Sequence, residues 1–71
     1  MSTNVTINGI MVDYTNYIWV WGRQPRGTGN WAFFLGNESD PRHYEGTFAS
    51  ARKQAVRDAK AAGYWKVAVG S

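Results

Sequence analysis

Residues 31–62 read WAFFLGNESDPRHYEGTFASARKQAVRDAKAA, and the apolar spacing changes period within this stretch. In its first part the spacing is two. Trp31, Phe33 and Leu35 share one face of a strand, with Ala32 and Phe34 on the other. A Gly36-Asn37-Glu38-Ser39-Asp40-Pro41 loop follows. Residues 42–47 then read as a further strand, with Arg42, Tyr44 and Gly46 opposite His43, Glu45 and Thr47. After Gly46-Thr47-Phe48 the spacing becomes helical. Ser50 reads as the N-cap and residues 51–62 as the helix, with Gly63 as the C′ residue. Ala51, Ala55, Ala59 and Ala62 form a smooth stripe flanked by Val56, suited to close contact with an aromatic sheet. Lys53, Arg57 and Lys60 form a separate basic stripe, with Arg52 beside it. On these bounds Arg52 and Lys53 fall in the first turn, where the helix dipole disfavours cations.

Working outward, residues 64–69 predict a closing strand. Trp65, Val67 and Val69 lie on one face, and Tyr64, Lys66 and Ala68 on the other. Upstream, residues 3–14 read TNVTINGIMVDY, and Asn8-Gly9 between two β-prone runs predicts a type I′ hairpin. Residues 17–24 read YIWVWGRQ, with β propensity throughout. As a strand they put Tyr17, Trp19, Trp21 and Arg23 on one face, opposite Ile18, Val20, Gly22 and Gln24. Pro25 to Asn30 is a loop carrying Arg26 near Arg23. The fold class is therefore α+β, in one domain spanning residues 1–71. A small antiparallel sheet of four to six short strands packs one Ala-rich helix on one face and ends in a final strand, in the order β-β-β-β-β-α-β.

Composition bounds the function. The chain has 71 residues and no cysteine, which excludes disulfides and thiolate zinc sites. A core this small must be dense, and four tryptophans, four tyrosines and three phenylalanines can make it so. Eight basic against five acidic residues leave a net charge of +3, which suits an anionic partner without demanding one. The apolar runs are too short to span a bilayer and the N-terminus is polar, so the expected location is the cytoplasm. Asp40, His43 and Glu45 lie close in sequence, but without a nucleophile or a second histidine they do not make a catalytic or metal site. The expectation is a non-enzyme with no cofactor and no metal.

A set of short motifs carries a family resemblance: Arg23-Gln24-Pro25, Gly29, Trp31-Ala32, Gly46-Thr47-Phe48, Ser50-Ala51, Ala55 and Ala61-Ala62. Over about 40 residues the chain resembles the plant ethylene-response-factor type of DNA-binding domain. That family places a three-stranded sheet over one helix and reads the major groove with the exposed sheet face. The resemblance implies that Arg23, Arg42 and Tyr44 face DNA. Strand alternation adds Trp19, Trp21, Asn30 and Phe34 to that face, while Trp31, Phe33 and Leu35 pack on the helix. His43 and Glu45 stand where the family has apolar residues, and the N-terminal hairpin and the last strand are additions to it.

Two functional readings result. The first is a nucleic-acid binder, DNA foremost. It uses Tyr17, Trp19, Trp21, Arg23, Arg26, Asn30, Phe34, Arg42 and Tyr44, with Arg52, Lys53, Arg57 and Lys60 as a second basic surface. The second is a phage- or mobile-element-type protein that binds and modulates a host protein, because Trp, Tyr and Arg also dominate protein interfaces. Self-association of an exposed aromatic face into a homodimer is a third.

Overall fold

Asn8 and Gly9 both adopt positive φ, 53° and 79°, so the chain reverses at this pair and strands β1 (Asn4–Ile7) and β2 (Ile10–Asp13) zip antiparallel. The computed structural model describes residues 4–23 and 25–70. Thr3, which the sequence reading placed in the N-terminal hairpin segment, and Gln24, which it placed in a strand, lie outside the described residues. After β2 come helix α1 (Thr15–Trp21), strands β3 (Thr28–Leu35) and β4 (Arg42–Thr47), helix α2 (Phe48–Ala61) and strand β5 (Lys66–Val69). The five strands form one sheet in the order β1-β2-β5-β3-β4. All neighbours are antiparallel except β2 and β5.

The α+β sheet-and-helix architecture with its closing strand is thus present, but one element differs. Residues 17–21, expected as strand, are helical, so the order is β-β-α-β-β-α-β. The cause is local at its start and tertiary beyond it. The Asp13 carboxylate accepts the Thr15 amide at 2.9 Å and the Thr15 hydroxyl at 2.6 Å, which turns the chain at the end of β2. Partial burial alone would raise the Asp13 pKa. The Thr15 bonds and the nearby Lys66 outweigh it and hold the carboxyl below its usual range. Helical spacing then brings Tyr17 and Trp21 together, ring centroids 6.0 Å apart, and sets Tyr17 against Trp31 at 5.7 Å. Gly22, at φ 68°, ends the helix by donating its amide to the Ile18 carbonyl at 2.7 Å. Core packing overrides the β propensity of the segment.

Helix α2 begins earlier than expected. Thr47, not Ser50, is the N-cap, and its hydroxyl accepts the Ser50 amide at 3.2 Å. Phe48 is thereby helical and buried, with Trp31, Phe33 and Tyr14 around it. The earlier start also moves Arg52 and Lys53 into the second turn, away from the dipole end. Gly63 closes the helix as expected. Its amide donates to the Lys60 carbonyl and the Tyr64 amide to the Ala59 carbonyl, a Schellman pair. Ala62 stands at the C-cap and is exposed, so the buried stripe is Ala51, Ala55 and Ala59 with Val56.

This stripe lies against Ile10, Val12, Phe33, Leu35, Val67 and Val69 from the middle strands, with Tyr14 and Tyr17 closing the core. Trp65 does not join Val67 and Val69 inside. It precedes β5 where the ladder with β2 begins, and is 67% exposed.

Candidate functional site

The face expected to bear Tyr17, Trp19, Trp21 and Arg23 does not exist, because a helix separates residues two apart. Tyr17 is 7% exposed and belongs to the core, whereas Trp19 is 84% and Trp21 54% exposed. Arg23 and Arg26 are exposed in the loop that follows, which is tied to α2 by the Phe48 amide donating to the Gly27 carbonyl.

Strand β4 also departs from the implied arrangement. Trp31 pairs with Tyr44 and Phe33 with Arg42, so all four lie on the helix side of the sheet. The Tyr44 ring stands edge-on to Phe33, and its hydroxyl donates to Asp58 of α2 at 2.8 Å. Arg42 is exposed but engaged with Glu38 through Nε–Oε1 at 3.1 Å and Nη2–Oε2 at 2.8 Å. That pairing holds the Glu38 carboxyl below its ordinary range. Neither Arg42 nor Tyr44 shares the open sheet face with Asn30 and Phe34. That face instead carries Ala32, His43 and Glu45 beside them, by the pairings of Ala32 with His43 and Asn30 with Glu45. Asp13 and Lys66 complete its charges, which are therefore mixed in sign.

The second basic surface keeps its integrity. Lys53, Arg57 and Lys60 are exposed on α2. Arg52 is half-buried, with its guanidinium 5.8 Å above the Phe48 ring and donating to the Tyr14 hydroxyl at 3.1 Å. All four line a groove of about 990 Å³ whose other wall is Ile7 and Asn8 of the β1–β2 hairpin, with Ala49 and Val56 also in its lining. Among the described residues, no carboxylate lies within ion-pair distance of these cations. Asp58, the acid of the same helix, is spent on Tyr44.

A second cavity, of about 490 Å³, opens between Trp21 of α1 and the start of β3. Tyr17, Trp21 and Trp31 supply its aromatic walls, with Gly29, Asn30, Ala32, His43 and Gly70 completing it. The Trp31 Nε1–H is buried and has no acceptor among the described residues. His43 Nδ1 lies 3.2 Å from the Asn30 carboxamide oxygen. An amide oxygen can only accept, so in the tautomer that makes this bond Nδ1 carries the proton and Nε2 is an acceptor. Sequence reading missed this cavity because its walls come from separated segments. Gly29 gave no signal either, because it was expected in the Pro25 to Asn30 loop, whereas β3 begins at Thr28 and takes it in.

Among the described residues no three His, Asp or Glu side chains gather to hold a metal. No described helix is long and apolar enough to cross a membrane. The chain matches no family model, no curated protein and no solved structure.

Proposed function

We propose that this protein is a non-enzymatic binding module for nucleic acid, with DNA the first candidate, and that α2 rather than the sheet supplies its phosphate contacts. The observation that carries this reading is the gathering of Arg52, Lys53, Arg57 and Lys60 along one groove with no carboxylate partner among the described residues. Phosphates compensate such a row, and release of condensed counterions drives the association. The resemblance to the ethylene-response-factor type of domain points to the same ligand class. Its sheet-face contact has little support, since Arg42 and Tyr44 are engaged within the fold and the open face is mixed in charge. Trp19 and Trp21, exposed on α1 shortly before Arg23 and Arg26 in the chain, favour single strands, whose bases are free to stack.

A second reading has an observation of its own. Ile7, Ala49 and Val56 give the groove an apolar part of its lining, which suits an acidic segment of a host protein, as a phage-borne modulator would require.

Titration of single- and double-stranded oligonucleotides at several salt concentrations tests the proposal. Three or four phosphates held on a single strand give a slope of log affinity against log salt of about −2 to −3. The double variant Lys53→Glu, Arg57→Glu should flatten that slope while leaving the melting curve in place. Absence of oligonucleotide binding at low salt, alongside capture of an acidic protein through the same two residues, would transfer the groove to the second reading.

A further inference from the structure

We infer that the cavity between α1 and the start of β3 is a subsite for one nucleobase of the bound strand, an inference that rests on the nucleic-acid reading above. Four features converge on a flat heterocycle. The first is the wall of three aromatic rings. Tyr17 and Trp21 are inclined at 31° and Tyr17 and Trp31 at 44°, and Trp21 remains 54% exposed, so one of its faces can receive a planar group. Bases stack on such rings with little regard to sequence.

The second is polar. The Trp31 Nε1–H has no acceptor among the described residues, and His43, its Nδ1 turned to Asn30, can offer Nε2 as an acceptor. An acceptor near aromatic walls suits the edge of a base. The Trp31 Nε1–H is closed to solvent, so it serves as a reporter of the ring's surroundings rather than as a contact.

The third is Gly29. It lies inside β3 without positive φ, and a Cβ built there meets nothing within 4 Å. Neither backbone geometry nor crowding in the fold calls for glycine, and glycine weakens a strand interior. What its missing side chain preserves is the cavity it lines. The fourth is charge. Arg23 follows Trp21 by two residues and Arg26 precedes Gly29 by three, so exposed cations flank the cavity in the chain and can hold the phosphates on either side of a seated base.

The test compares a short single-stranded oligonucleotide with its fully abasic counterpart, and with a nucleoside monophosphate. Binding is followed by the indole N–H resonances and by affinity. Trp31→Phe identifies the Trp31 signal while keeping a ring. Gly29→Val fills the cavity with a residue that strands favour. The oligonucleotide should shift the Trp31 N–H signal, and the abasic strand should not. Gly29→Val should weaken oligonucleotide binding by about tenfold, in line with the loss of one stacked base. Its salt slope should be unchanged and its melting temperature no lower. A shift with the free monophosphate as strong as with the strand would make the site one for free nucleotide and overturn assignment to a strand. Equal affinity for the abasic strand, or normal binding by folded Gly29→Val, would sink the subsite while leaving the α2 contact standing. Should no oligonucleotide bind at all, the parent reading and the subsite fall together, a result distinct from the other two.

Discussion

The hydroxyl of Tyr44 in β4 donates to the carboxylate of Asp58 in α2 at 2.8 Å, joining the edge of the sheet to the helix that covers it. The bond does two things. It fixes Tyr44 on the helix side, and it occupies the acid that would otherwise be free to pair elsewhere. Partial burial, the bond itself and the negative charge of Asp58 push the Tyr44 pKa up from 10.0 to about 12.

Alkaline stability should report this bond. The folded pKa of Tyr44 is raised, so in the unfolded chain the phenol ionises first. Its contribution is complete below pH 10 and is lost as pH rises through about 12. Chemical unfolding of the protein and of Tyr44→Phe at pH 7 and across this window checks the sign. At neutral pH the variant should be less stable by about 0.5–1.5 kcal/mol. The gap should close toward pH 12, and a constant gap would show that the hydroxyl is not buried against Asp58.

Enlarging the alanine stripe should be costly. Ala55 and Ala59 are fully buried between α2 and the sheet. Replacing either with Leu should lower stability by about 1–3 kcal/mol, because the close-packed contact has no room for the added methylenes. The same change at exposed Ala62 should stay within about 0.5 kcal/mol. Thermal melts of the three variants decide the matter.

Two glycines with similar backbones should respond differently. Gly36 has φ 57°, and a Cβ built on it would lie 2.2 Å from the Tyr64 ring. Gly63 has φ 84° and open space around the same position. Gly63→Ala should therefore cost only the conformational strain, about 1 kcal/mol. Gly36→Ala must also displace Tyr64 and should cost at least about 2–3 kcal/mol. Adding Tyr64→Ala to Gly36→Ala should recover part of the difference in a double-mutant cycle.

The aromatic residues of α1 should separate by position. Tyr17→Ala removes a core ring in contact with Trp31 and should cost about 3–5 kcal/mol. Trp19→Ala should change stability by less than about 0.5 kcal/mol. Trp21, tilted against Tyr17 but half in solvent, should fall between them. A strand at residues 17–21 would instead make Tyr17, Trp19 and Trp21 alike in sensitivity, so circular-dichroism melts of the three variants distinguish the two arrangements.

The basic stripe of α2 was readable along the chain, because its spacing is that of a single helix, whereas the aromatic face expected at residues 17–23 was not there to be read. Lys53, Arg57 and Lys60 recur at three and four residues and reach one face whatever packs behind α2. The 490 Å³ cavity was not readable. Tyr17 and Trp21, Gly29 to Ala32, His43 and Gly70 meet through strand order and the docking of α1, and neither is encoded by local spacing.

The sequence by itself determined the elements whose causes lie within a few residues. Asn8-Gly9 permits the positive φ of a tight hairpin, and Gly63 supplies the left-handed residue that stops α2 and releases β5. The alternation in residues 31–35 sends Phe33 and Leu35 inward. Tertiary structure decided the rest. Residues 17–21 carry β-prone side chains, yet they coil because Tyr17 gains more from Trp31 and the core than from a place in the sheet. The side chosen by Tyr44 followed from its register opposite Trp31, and β5 lies parallel to β2 because α2 returns the chain between β2 and β3. Each of these outcomes weighs burial between segments distant in sequence, so the physical reason for it exists only once the chain has folded.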